Sequence, residues 1–479
     1  MLEIILAKFE VIMASERPSF IPVLVQMYFF LTFKRCSSLD QTTSMNINSK
    51  VKGTFSLGSF FCPAFSVYRV LKGYNRANWS GDCRASLNVA LLAIPQGMAY
   101  ALVAGLPIQY GLLGSAFAAL LGGLFGKGRF ITLGPTNATA VLLFGVFAGL
   151  GMIKANGMGN ESALMLLPWI LACSGILLLF ASFLRISFMV QFVSRTVITA
   201  YVTAAAFLII VNQSKHVLGL TGKGDGAPST FWGILSQTVE NLGHASAPSI
   251  WLGLITAIVF LFLQLRLRAL PNVALTLIIA SLAGILFEHF HLKVAYLDSF
   301  ESTRSFLVTP SVQAFASHWE TILWSASAVS LLCLLEGLSI GKSLAARAGA
   351  RIDSNQETFS IGISNIGCSV LSGMPASGSL TRSSLNVQSG AKTGVSNLLA
   401  GILILAGYFL LGDLVAYVPL PALATLVIFI GASLVKARQI KTVSKATRSD
   451  AITFAVTLGV GLLLSLQMAI FVGVITSIL

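Results

Sequence analysis

Charge is what this 479-residue chain has least of: 10% of its residues are Asp, Glu, Lys or Arg, against about 25% in a soluble domain. Acid is scarcer than base, with 17 Asp and Glu against 31 Lys and Arg. The basic residues sit in short loops between apolar runs, the signature of cytoplasmic loops, and this argues against a nucleic-acid partner. Cys36, Cys62, Cys83, Cys173, Cys333 and Cys368 are scattered, with no Cys-x-x-Cys pair and no histidine set nearby. They read as small apolar fillers, not as metal ligands or disulfides. The histidines (His216, His244, His289, His291, His318) fall in loops or at segment ends. No Ser–His pair or metal site is therefore expected at membrane depth, and no cofactor is implied. Pro375-Ala376-Ser377-Gly378 lacks the Gly-x-Ser-Gly of a rhomboid-like protease, which weighs against an enzyme.

What fills the chain is apolar sequence, 55% of residues, in fourteen segments. A spanning helix needs about 20 such residues, so the fold class is an all-α polytopic protein of the lipid bilayer. Residues 1–61 form an N-terminal extension without a readable structure: Phe20 to Phe33 is apolar but short of a span, and no signal peptide is evident. Arg69, Lys72, Arg76 and Arg84 precede the first span and place its amino end in the cytoplasm of a plasma (inner) membrane protein. The first seven segments lie near 84–105, 109–126, 130–150, 163–183, 196–215, 249–265 and 271–290. The others lie near 319–341, 355–371, 378–388, 394–411, 421–435 and 450–465, with a last one from Met468 that stops at Leu479. Alternation of basic loops with polar ones makes the second half repeat the first upside down.

Two segments are interrupted. Gly134-Pro135-Thr136-Asn137-Ala138-Thr139-Ala140 breaks the third, and Ser372-Gly373-Met374-Pro375-Ala376-Ser377-Gly378-Ser379-Leu380-Thr381-Arg382 breaks the tenth. In each, Gly and Pro stop an apolar run and hydroxyls then cap a new helix start. Polar backbone at this depth is tolerated only against protein or water. A helix beginning there aims bare N–H groups and a positive dipole end at whatever lies in front. The third segment is entered from the cytoplasm and the tenth from outside. With a short extended strand before each half-helix, both amino ends meet near the midplane, which is the pointer to a transporter's binding site. Two Pro-kinked spans are the plainer alternative.

The motifs Ala93-Ile94-Pro95-Gln96-Gly97-Met98-Ala99-Tyr100-Ala101, Ala104-Gly105-Leu106-Pro107 and Tyr110-Gly111-Leu112 resemble the SulP anion transporters (solute carrier family 26). Leu133-Gly134-Pro135-Thr136, Asp353-Ser354-Asn355-Gln356-Glu357, Ser377-Gly378-Ser379-Leu380-Thr381-Arg382-Ser383 and Gly390-Ala391-Lys392-Thr393 extend the resemblance over residues 62–479. It implies a seven-plus-seven inverted repeat, with a core of helices 1–4 and 8–11 against a gate of helices 5–7 and 12–14. It also implies anion transport by an elevator-like motion, usually as a homodimer. The family's STAS domain is absent and the last helix is incomplete, which reads as a fragment. The expected substrate is a small inorganic anion, sulfate first. Bicarbonate, a dicarboxylate, exchange, or an uncoupled channel on the same fold remain open.

Candidate site residues follow. Gln96 and Tyr100 are four apart on one helix face. They serve either an interhelical hydrogen bond and core packing, or the substrate, as the resemblance implies. Thr136, Asn137 and Ala138 open the third half-helix, and Ser379, Leu380 and Thr381 open the tenth. Their backbone N–H groups either bind the anion or are merely capped. Arg382, costing at least about 2.5–3.5 kcal/mol at depth unless compensated, should face the cavity or an acid, with Glu336 the obvious partner. Glu336 is a counter-ion or a proton-coupling residue: a desolvated carboxyl holds its proton more readily, an arginine beside it does the reverse. Sodium-coupled relatives have an aspartate here with a hydroxyl one turn later, where this chain has Ile340, so sodium coupling is the weaker reading. Asn355, Gln356 and Glu357 read as helix capping.

Overall fold

The computed structural model describes residues 74–153, 158–185, 195–220, 230–267, 272–297, 307, 310–412 and 414–478. The N-terminal extension, Arg69 and Lys72 lie outside these. The described chain is helical, apart from two short strands.

Its helices begin where capping side chains allow. α1 (Arg76–Val103) starts where Asn75 accepts the Asn78 N–H, and continues through Pro95. A membrane helix can carry such a proline when neighbours satisfy the freed backbone. α2 (Ile108–Phe125) follows Pro107 and crosses α1 at two glycines: a Cβ on Gly97 would lie 2.8 Å from the Gly111 carbonyl oxygen. Small residues at such a crossing let two backbones touch, the common device of helix pairs in lipid. β1 (Leu133–Gly134) and α3 (Asn137–Gly149) come next, then α4 (Glu161–Phe183), capped by Asn160.

α5 (Arg195–Val217), the short amphipathic α6 (Phe231–Glu240), α7 (Ala247–Arg266) and α8 (Asn272–His289) complete the first half. α9 (Val312–Arg347) bends at His318, and its start precedes the expected 319 by about two turns. α10 (Ser354–Val370) is capped by Asp353. β2 (Ser377–Gly378) leads to α11 (Leu380–Gln388), then α12 (Val395–Leu411) and α13 (Leu420–Leu434). The basic cluster around Arg438 and Lys441 is not a loop but the helix α14 (Ala437–Ala446). α15 (Arg448–Leu463) and α16 (Leu466–Ile478) close the chain.

Seven of these helices, and the stretch Leu420–Val443 that joins α13 to α14, are long and apolar enough to cross a membrane; α3, α12 and α16 are apolar but shorter. Trp251, Leu254, Ile258, Phe262 and Leu265 stand exposed at helical spacing along α7, and Ile278, Leu282 and Leu286 along α8. Such continuous apolar faces are unsuited to water and suited to lipid tails.

Packing sorts the helices into two groups. α1, α2 and α4 pack mainly with one another and with α9–α12, whereas α5, α7, α8, α13, α15 and α16 pack mainly among themselves; α3, grouped here with the first set, divides its contacts evenly. Contacts between the groups run chiefly through α3 against α5 and α16, α1 against α8, and α9 against α16.

β1 and β2 pair antiparallel, Leu133 opposite Gly378 and Gly134 opposite Ser377, and the Ser379 N–H extends the ladder to the Thr132 carbonyl at 3.1 Å. So short a ladder depends on side chains from elsewhere. Asn365 of α10 holds Ala376 by both backbone groups, at 2.9 and 3.1 Å. Asn397 of α12 donates to the Ile131 carbonyl at 2.9 Å and accepts from the Thr132 hydroxyl at 2.8 Å. The Ser383 hydroxyl accepts the Thr132 N–H at 2.9 Å. Each break is thus pinned by one buried asparagine.

Candidate functional site

The paired strands deliver two helix starts side by side. Thr136 caps α3: its hydroxyl accepts the Thr139 N–H at 3.3 Å, while the Thr139 hydroxyl accepts the Thr136 N–H at 3.1 Å. Ser379 caps α11, accepting the Arg382 N–H at 3.5 Å. α3 therefore starts at Asn137 and α11 at Leu380, one residue after Thr136 and two after Gly378, where the sequence reading starts them. Among the described residues no acceptor meets the N–H groups of Asn137, Ala138, Leu380 and Thr381. These are the orphan donors of a helix first turn, with the dipole's positive end behind them.

The predicted residues gather here from α1, α3 and α11. Gln96 donates to the Thr381 hydroxyl at 3.5 Å, so the α1 face carrying Gln96 and Tyr100 meets α11. Gln96, Tyr100, Thr136, Asn137, Ala138 and Ser379 are buried, while Leu380 is 43% exposed and Thr381 is exposed too. The site is thus open along one turn of α11 and closed elsewhere. The buried Oε1 of Gln96 and Oδ1 of Asn137 have no hydrogen-bond partner. The bare N–H groups suit a small oxyanion, whereas these two amide oxygens are acceptors and call for a donor.

Glu336 and Arg382 differ from expectation. No Glu336–Arg382 bridge forms; Lys127–Asp353, at 3.4 Å, is the ion pair among the described residues. Glu336 instead accepts hydroxyls from both breaks with one oxygen, Thr136 at 2.9 Å and Ser377 at 2.7 Å. It thereby ties the cap of α3 to β2. Arg382, 1% exposed, faces neither the opening nor an acid. Its guanidinium lies behind the strands, donating to the Pro135 carbonyl and, at 3.5 Å, to the Ser115 hydroxyl. Helical geometry explains this: Arg382 follows Thr381 by one residue and so points about 100° away from the exposed turn. Gly134 makes room for it, since a Cβ there would collide with the guanidinium. The positive charge therefore stands at the back of the site, and the Tyr100 ring is within electrostatic reach of both charged groups.

Two buried residues, Asp82 and Tyr201, escaped the sequence reading, and Glu357, read there as a cap, does more. Glu357, 5% exposed, is a buried acid. It accepts the Lys127 N–H at 3.2 Å and so holds the segment leading to β1. Asp82, at the start of α1, is fully buried and accepts the N–H groups of Lys392 and Thr393 at 2.7 and 3.1 Å, plus the Thr393 hydroxyl. Tyr74 also donates to Asp82 at 2.8 Å, and burial and that carboxylate push its phenol above the usual range. Tyr201 of α5 donates to the Ala138 carbonyl at 3.1 Å, reaching the site from the other packing group. Its signal was faint: one tyrosine among alanines in an apolar run. Among the described residues no three metal-ligating side chains converge.

A family model described as the Sulfate permease family matches residues 80–457. The chain is 28% identical over 414 residues to "Sulfate transporter 4.1, chloroplastic" of Arabidopsis thaliana, covering 86% of this chain and 59% of that protein. It is 29% identical over 408 residues to the "Sodium-independent sulfate anion transporter" of Bos taurus, covering 78% of this chain and 65% of that one. The chain thus spans less than two thirds of these relatives. Its fold matches the murine Solute Carrier 26 family member A9 anion transporter in the inward-facing state, with a TM-score of 0.76 at 21% identity over 92% of this chain and 74% of that one. It also matches the transmembrane domain of a cyanobacterium bicarbonate transporter, with a TM-score of 0.72 at 19% identity over 85% of this chain and 98% of that one.

Proposed function

The chain belongs to the sulfate permease family, an integral membrane family of permeases and not of enzymes, and on that premise we propose that it carries a small inorganic anion, sulfate foremost, by secondary active transport. The observation that carries the reading is the pairing of β1 with β2, which sets the helix starts bearing the uncapped N–H groups of Asn137, Ala138, Leu380 and Thr381 side by side. There they bind the oxyanion, with the Gln96 amide, Tyr100, Asn137 and the Thr136 and Ser379 caps shaping the pocket. Arg382 acts through its field from behind. Positive ends without a mobile ammonium hold an anion firmly enough to select it and weakly enough to release it.

The two packing groups take the roles of core (α1–α4, α9–α12) and gate (α5, α7, α8, α13, α15, α16). They derive from a seven-plus-seven inverted repeat in which α3 and α11 are half-helices. The core carries the anion across by an elevator-like displacement, in a homodimer at the plasma membrane with the start of α1 cytoplasmic. Glu336, bound to both breaks, couples transport to protons when its carboxyl is protonated on one side and released on the other.

Purified protein in proteoliposomes tests this. Saturable uptake of labelled sulfate, enhanced by an inward proton gradient, is the expected result. Preferential competition by bicarbonate or a dicarboxylate would reassign the substrate, and flux linear in concentration would assign an uncoupled channel.

A further inference from the structure

Tyr201 does more than touch the first turn of α3. It is 1% exposed, and its hydroxyl bond to the Ala138 carbonyl joins the two packing groups at the level of the site. From there two rows run together. Along α3, Ala138, Val141 and Gly145 share a face by their spacing of three and four. Along α5, Leu208 and Asn212 continue from Tyr201 on the same principle. Val141, Phe144 and Gly145 of α3 and Leu208 and Asn212 of α5 line one narrow crevice. It is tightest at Phe144 and Leu208, which are 4% and 6% exposed, and roomier at Gly145, where an added Cβ would meet nothing within 4 Å. At the far end stands Asn212, itself 6% exposed, whose Oδ1 meets no hydrogen-bond partner. The seam therefore has a hydrogen bond at its inner end, apolar contacts between, and an unsatisfied amide at its outer end.

We propose that this seam is the closed exit from the anion site on the side opposite the exposed turn of α11, that Tyr201 latches it, and that Asn212 biases it toward opening. The inference rests on the carrier reading above. Any displacement of one packing group along the other breaks the Tyr201–Ala138 bond. Parting the seam admits water to Asn212, so the group that is unsatisfied when shut becomes satisfied when open. The two residues act in opposite directions on one equilibrium. A purely structural role predicts the same sign for both.

The test is the labelling rate of a cysteine at Leu208 (L208C) by a maleimide in detergent, where both faces are in contact with reagent; the parent protein serves as blank for native thiols. Tyr201→Phe, which removes one oxygen, should speed labelling about fivefold, the size of one net hydrogen bond. Asn212→Leu, with the same heavy-atom branching, should slow it by a like factor. An unchanged rate in Tyr201→Phe, or a faster one in Asn212→Leu, overturns the proposal, and unfolding would give the latter. Rates that move as predicted in a protein that carries no anion in proteoliposomes would leave the seam standing and remove the carrier reading. Unmoved rates with normal uptake would do the reverse.

Discussion

At the scale of single residues, the site is a matter of which way polar groups point. Arg382→Ala removes a buried guanidinium and leaves the Pro135 carbonyl and Ser115 hydroxyl without their donor. A hydrogen bond to a charged group contributes about 1.5–3 kcal/mol, so melting in detergent should fall by several degrees and the half-saturation constant should rise roughly tenfold. Arg382→Lys keeps the charge but not the fork, and should recover affinity more than stability; equal losses in both variants would assign Arg382 to packing alone. Glu336→Gln keeps an acceptor for Thr136 and Ser377 and loses the titratable carboxyl. Gradient-driven accumulation should vanish while counterflow exchange persists, and accumulation that survives the change would remove the proton role. The identity of these two residues was legible in the sequence because charge inside an apolar run is rare. Their orientation was not, since no spacing rule tells an arginine to turn from the cavity to a proline carbonyl contributed 247 positions away.

At the scale of elements, the interruptions were readable and their consequence was not. Gly134-Pro135 and Pro375 with Gly378 announce that a helix cannot continue, and hydroxyls after them announce that another begins. The pairing of two dipeptides into a ladder leaves no local trace, because its register is set by Asn365 and Asn397 from other helices. Asn397→Ala should therefore act on β1 at a distance: Ile131 and Thr132 lose their partner, each buried orphan costing about 1–3 kcal/mol. A lower melting temperature with weakened anion binding is expected, and undisturbed binding would show that the ladder holds its register without Asn397. The glycine crossing of α1 and α2 is the other element-level device. A Cβ on Gly111 would overlap the Gly97 carbonyl, so Gly111→Val should push α1 aside and displace Gln96, its neighbour in sequence. Loss of a monodisperse peak or a strongly reduced uptake is the expected readout. The beginning of α9 was missed for a simpler reason: residues 312–318 are too polar to register as membrane sequence.

At the scale of the whole molecule, the exposed apolar faces of α7 and α8 and the two packing groups were foreseeable only in outline. Composition points to lipid, but not to which helices move together; that follows from close packing such as Gly175 of α4 against α10 and Gly123 of α2 against α12. If the groups must slide, tethering them should stop transport. Cysteines at Phe144 and Leu208 joined by a short cleavable bifunctional reagent should cut uptake more than tenfold, with recovery on cleavage. Uptake unaffected by the tether would mean that the seam does not part. The partners in the strand ladder have a further consequence for how the chain is made. Leu133 and Gly378 stand 245 residues apart, so at about 5–20 residues per second the first break waits on the order of ten to fifty seconds for its mate. During that interval a nascent chain holds raw peptide groups inside the bilayer, and cellular quality control has its clearest opportunity to seize it.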